Sequence, residues 1–141
     1  MKTIKVSEAT NIQLDWLVAK LTEAKVTLDT SLPCYPLLVI EGEEDQVNDF
    51  YSGYSPSTDW SQGGPIIARE GIVCSPQYED DVLNDTQMLI GQWQANLWNN
   101  SVTSTSGFMQ WAYGPTPLIA AMRCYVTSKL GKTVEVPEEL T

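Results

Sequence analysis

Leu14, Leu17, Val18 and Leu21 fall at i, i+3, i+4 and i+7, the spacing that gathers side chains on one face of an α-helix. Thr10, with Gln13 three residues on, has the pattern of a capping box, so the spacing predicts a helix over Thr10 to Glu23. A second stripe, Leu118, Ile119, Met122, Tyr125, Val126 and Leu130, predicts a helix that Pro115 or Thr116 opens and Gly131 ends, about 115–130. Lys129 and Lys132 lie where a cation complements the helix dipole. Between the helices the period shortens. Thr3 to Val6 and Val26 to Leu28 suit short strands, and Leu37-Leu38-Val39-Ile40, inside Pro36 to Glu41, suits a buried one. Pro65 fits a first helical position and Gly71 a C-terminal cap, which predicts a short helix near 65–70. Ile72 to Ser75, Thr86 to Asn96 and Phe108 to Tyr113 suit further strands, with a turn at Trp98-Asn99-Asn100 and a Ser/Thr-rich turn or loop from Ser101 to Gly107. Thr133 to Val136 is a short extended tail that Pro137 stops. Strands and helices mix without a β-α-β rhythm. The expectation is an α+β fold: residues 1–141 as one compact domain with a small, mostly antiparallel sheet.

Charge removes several function classes. Eight basic against eighteen acidic residues leave a net charge of −10. Such a chain is poorly suited to neutralise nucleic-acid phosphates or to sit on an anionic membrane. A solubilising surface accounts for the acidity most simply. The clusters Glu41, Glu43, Glu44, Asp45, Asp49 and Glu79-Asp80-Asp81 with Asp85 lack the spacing of a calcium loop and fit solvated turns or helix starts. Cys34, Cys74 and Cys124 are odd in number and form no Cys-x-x-Cys, so reduced thiols are expected rather than a disulfide frame or a zinc site. The N-terminus lacks a signal-peptide core, and no apolar stretch is long enough to span a bilayer. Histidine is absent, which takes away the commonest general base and metal ligand and every Ser-His or Cys-His pair. No cofactor or metal is expected, and an enzyme becomes the less favoured class.

What remains is the material of a binding site. The run Tyr54-Ser55-Pro56-Ser57-Thr58-Asp59-Trp60-Ser61-Gln62-Gly63-Gly64-Pro65-Ile66-Ile67 gathers hydroxyls, one carboxylate, one indole and a Gly-Gly-Pro step. If Pro65 opens a helix, the N–H groups of Gly63 and Gly64 lie at a positive helix mouth where an anion can approach. Gly114-Pro115-Thr116 repeats the arrangement before the C-terminal helix. The alternative at both places is a tight turn with a plain helix start, and Ser57 or Asp59 is equally suited to be an N-cap. The two arginines, Arg69 and Arg123, follow the two Gly-Pro steps and could clamp a phosphate or pair a buried carboxylate. Trp60 stands in polar surroundings, and Trp111 and Tyr113 precede the second Gly-Pro, where aromatic rings could stack on a base.

The residues from Tyr54 to Ile72 also resemble the middle of the NinX-like family of small proteins from tailed bacteriophages and prophages. Gly114 to Gly131 resembles its C-terminal block, Val134 to Leu140 its tail, and Leu14 to Lys20 its N-terminal helix. Residues 26–49 and 75–107 carry no such match. The resemblance implies phage origin, expression in the host bacterial cytoplasm and a setting among accessory genes that often encode inhibitors of host defence. It implies no particular reaction. With the residues, it frames the leading expectation: a non-enzymatic accessory protein that sequesters a small nucleotide-like ligand. Gly63, Gly64, Ser57, Thr58 and Thr116 would face phosphate, Arg69 and Arg123 neutralise it, Trp60 and Trp111 stack, and Asp59 read a ribose or base edge. Two alternatives stand beside it, an acidic protein–protein inhibitor and a carboxylate-based nucleotide hydrolase using Asp59 and Glu70. Homo-oligomerisation fits a pocket at a subunit interface.

Overall fold

The computed structural model describes residues 1–30, 37–40, 53–81, 86–99 and 108–141. In chain order the elements are β1 (Lys2–Lys5), a 3-10 turn (Val6–Glu8), α1 (Asn11–Leu21), β2 (Val26–Asp29), β3 (Leu37–Ile40), α2 (Trp60–Glu70), β4 (Val73–Asp81), β5 (Thr86–Asn99), β6 (Phe108–Gly114), α3 (Pro117–Leu130), β7 (Thr133–Val136) and a second 3-10 turn (Glu138–Leu140). The fold is α+β. Among the described residues the strands are antiparallel, as expected, but form three small sheets rather than one: β1 with β7, β2 with β3, and β4-β5-β6.

α3 is the centre of the packing. Leu118 through Met122 and Cys124 through Val126 are all buried, so this helix is apolar around most of its circumference rather than along one stripe. It packs against β4, β5 and β6 and against α1 and α2. Small residues let it come close. The inner row of the three-stranded sheet is Cys74–Ala95–Ala112, and a Cβ on Gly114 would meet the backbone of Ala120 at 2.7 Å. The stripe of α1 is buried as expected at Leu14, Leu17 and Val18. The capping box also forms, with the Thr10 N–H donating to Gln13 Oε1 at 2.9 Å.

Several boundaries differ from the sequence pattern. α1 and α3 are slightly shorter than 10–23 and 115–130, because Thr10 and Thr116 are caps outside the helices. α2 starts at Trp60, not at Pro65, so Pro65 lies inside the helix. A proline there loses one helical bond and crowds the carbonyl four residues back. Here that carbonyl belongs to Ser61, and both residues are exposed, so water can satisfy it. Gly71 is the C-cap in the left-handed region at φ 67°, as its position suggested. β4 runs on through Glu79-Asp80-Asp81, which pair with Met88, Gln87 and Thr86 in the ladder rather than forming a turn or helix start. β5 continues to Asn99, so Trp98 and Asn99 are strand and not turn. In the strand expected to be buried, Leu38 is buried, while Val39 and Ile40 are partly exposed. The cluster from Glu41 to Asp49, Asp85, Cys34 and the loop from Ser101 to Gly107 lie outside the described residues.

Candidate functional site

The polar run before α2 is held by its own side chains. Asp59 is the N-cap: Oδ1 accepts from the Ser61 N–H at 2.9 Å and from the Ser61 hydroxyl at 2.7 Å. The Gln62 side chain accepts from the Ser55 N–H at 2.6 Å and donates to the Gly53 carbonyl at 3.0 Å. Ser57 is fully buried, and its N–H donates to Asp15 Oδ1 at 2.8 Å. Asp15 is itself buried in α1, and the loss of water pushes its carboxyl up to about 6, against the opposing pull of the Ser57 N–H.

This arrangement removes the first expected anion mouth. The Gly63 N–H already donates to the Asp59 carbonyl at 2.9 Å, inside the helix. A Cβ on Gly63 would collide with the Pro56 carbonyl and the Leu118 side chain, so this glycine is there for close packing. Gly64 is also mid-helix and faces open space. Thr116 is committed as well: its hydroxyl accepts from the Ile119 N–H at 3.1 Å and caps α3. Arg69 pairs with Glu70 at 3.2 Å and reaches the Tyr125 hydroxyl at 3.4 Å. Asp59 and Glu70 stand at opposite ends of α2, roughly 16 Å apart at the helical rise, too far to act on one bond.

Arg123 is the predicted residue around which space gathers. Its two terminal nitrogens donate to the Tyr113 carbonyl at 2.9 Å and to the Ala9 carbonyl at 3.2 Å. Nε is buried without a hydrogen-bond partner, and no carboxylate pairs with the guanidinium among the described residues. Burial lowers its pKa, though an arginine stays protonated in any ordinary buffer.

Two clefts meet at Arg123 and Pro115. The first, about 680 Å³, lies along the free edge of β6, which is an outer strand of its sheet. Trp111, Tyr113, Arg123, Lys5 and Lys132 line it, and no carboxylate does among the described residues. The Lys5 ammonium pairs with the exposed Glu8, at 3.7 Å. Three of the eight basic residues of an acidic chain thus converge on one space beside two half-exposed aromatic residues. The second cleft, about 1110 Å³ and wider, lies beside the polar run; Thr58, Asp59, Asp15, Ser61 and Tyr54 line it with Arg123. Of the predicted set, Trp111 and Arg123 meet in the first cleft and Thr58, Asp59 and Arg123 in the second. Ser57, Trp60, Gly63, Gly64, Arg69 and Thr116 line neither.

Lys5 and Lys132 were not expected at a site: nothing local singles out Lys5, and Lys132 reads as a complement to the helix dipole. Their proximity comes from the β1–β7 ladder, which pairs Lys5 with Thr133, and from the Val6 N–H, which donates to the Lys132 carbonyl at 2.9 Å. Among the described residues, no group of three or more Cys, Asp or Glu side chains is placed to hold a metal ion. The thiol of Cys124 is buried and pushed up to about 12, which leaves it unreactive. No described helix is long and apolar enough to cross a membrane.

No curated protein matches the chain. A family model does: the family described as Bacteriophage P22, NinX matches residues 5–129, a span that takes in 26–49 and 75–107 as well as the blocks that carried the resemblance. The β6 edge, Arg123 and both clefts therefore lie almost wholly within the matched span, and the chain belongs to the NinX family of bacteriophage P22.

Proposed function

We propose that this protein is a non-enzymatic phage accessory protein that binds a small anionic ligand bearing an aromatic ring, a nucleotide, and withholds that signal from host defence in the bacterial cytoplasm. One observation carries the reading: the cleft at the β6 edge joins Trp111 and Tyr113 to Arg123, Lys5 and Lys132 with no carboxylate lining it among the described residues. Aromatic side chains stack on bases, and a cluster of cations concentrates phosphate. Its volume falls within the range of small-molecule sites. The binding centre thus moves from the Gly-Gly-Pro step to the strand edge, with Arg123 and Trp111 kept from the expected set.

Isothermal titration against a panel of mono-, di- and cyclic nucleotides tests the reading. Binding is expected, and Lys132→Glu, an exposed position, should weaken it at least tenfold without lowering the melting temperature. Absence of heat with every nucleotide, for folded protein, overturns it. Ligand recovered intact after denaturation separates sequestration from turnover.

A second reading, inhibition of a host protein, draws on the outer face of the three-stranded sheet. Val73, Trp98 and Met109 are exposed there on register rows that point away from α3, and Trp111 and Tyr113 continue that face to the β6 edge, where it meets the cleft. On this reading Trp98→Ala abolishes inhibition and leaves nucleotide titrations unchanged. The same face suits self-association, which sedimentation would detect as a mass above that of one chain.

A further inference from the structure

The two clefts share Arg123 and Pro115 but differ in chemistry, and that difference bears on what kind of ligand fits. The strand-edge cleft has cations and aromatic residues. The loop cleft has hydroxyls and amides (Thr58, Ser61 and Gln62) together with the carboxylates Glu8, Asp15 and Asp59. Carboxylates repel a phosphate but accept hydrogen bonds from sugar hydroxyls, and the neighbouring hydroxyl side chains can donate or accept. This lining disfavours an anionic group and suits one rich in hydroxyls. Asp15 is 5% exposed and still lines this cleft, so its carboxylate is fixed in place by α1 and by the Ser57 N–H rather than free to swing away.

Arg123 stands where the two linings change over. The Tyr113 and Ala9 carbonyls take one hydrogen from each terminal nitrogen and fix the plane of the guanidinium. Five N–H donors on an arginine then leave three without an acceptor among the described residues, one of them the buried Nε. A cation held in this way, unpaired by any described carboxylate and lining both clefts, is placed to meet a phosphate group that runs from one cleft to the other.

We infer that the ligand is two-headed: a base in the strand-edge cleft, a diphosphate bridge at Arg123, and a second sugar in the loop cleft. Its chemical class is a nucleoside diphosphate joined to a further pentose or hexose. The inference rests on the nucleotide reading above and narrows it.

Calorimetry with AMP, ADP and ADP-ribose on the full chain tests it, because the last two differ only in the second head. ADP-ribose is expected to bind at least tenfold more tightly than ADP. Ser61→Phe and Asn11→Tyr fill the loop cleft from two walls at exposed positions. Each should bring ADP-ribose down to the affinity of ADP while ADP itself changes less than twofold. ADP and ADP-ribose binding within twofold of each other overturns the two-headed ligand and leaves the nucleotide reading standing. So does an ADP-ribose advantage that survives both variants, or variants that weaken ADP equally. Silence with all three ligands overturns both readings.

Discussion

Asp15 is a carboxylate kept from water and held by the Ser57 N–H. Its folded pKa lies above its ordinary value of 3.8, at about 6, so the native state binds this proton more tightly than the unfolded chain. The cost of burying the charge is absent below the ordinary value, grows as pH rises between the two, and is complete above 6. Asp15→Asn keeps an acceptor for the Ser57 N–H and removes the charge. Urea unfolding should find it more stable than the parent by about 1–3 kcal/mol at pH 8 and nearly equal at pH 4. A difference that ignores pH would sink this account. The paired glycines of α2 make a second residue-scale contrast. Gly63→Ala drives a methyl into Pro56 and Leu118 and should cost about 1–3 kcal/mol. Gly64→Ala meets nothing within 4 Å and should gain about 0.5–1 kcal/mol from reduced chain entropy. If the two glycines held an anion instead, both changes would weaken ligand binding and neither would add stability. The sequence shows two adjacent glycines; only the packing across to Leu118 tells them apart.

At the scale of elements, capping was legible and start positions were less so. Thr10 with Gln13, Thr116 and Gly71 each act through neighbours within four residues, so their roles can be read locally. α2 misled because proline favours a first helical position and two glycines weaken a helix. The turn from Trp60 to Gln62 overrides them: Asp59 satisfies the opening N–H, and Ile66 is buried in the core. Asp59→Ala should therefore lower stability by about 1 kcal/mol, measured by thermal melting, with Asp59→Asn close to the parent. A loss of ligand affinity with unchanged stability would instead favour a direct contact with ligand. The acidic end of β4 misled for another reason. Glu79, Asp80 and Asp81 have poor strand propensity, yet an antiparallel partner in β5 supplies the ladder that propensity alone does not.

Across the whole molecule, the fold class was legible from mixed periodicities, whereas the division into three sheets was not. Strand pairing joins segments far apart in sequence, and no local pattern encodes which edge meets which. The same limit hid half of the strand-edge site, since Lys5 and Lys132 come together only through β1 and β7. Deleting residues 133–141 removes the buried Val134, Val136 and Leu140, and strips the Gln13 side chain of the Leu140 carbonyl it donates to at 2.9 Å. At about 1.5–3 kcal/mol for each apolar side chain, the loss is comparable to the entire stability of an ordinary domain. The truncated chain is expected to lose its cooperative unfolding transition; a melt shifted by only a few degrees would contradict this. The β1–β7 ribbon also fixes how the protein yields to force. Lys2 faces Val136 at one end of the ladder and Lys5 faces Thr133 at the other. A pull applied at residues 2 and 136 in opposite directions therefore loads the rungs one after another, as a zipper, instead of all together in shear. The first rungs to part uncover Val136 and then Val134, so a force that separates the two strands from this end opens the interior rung by rung.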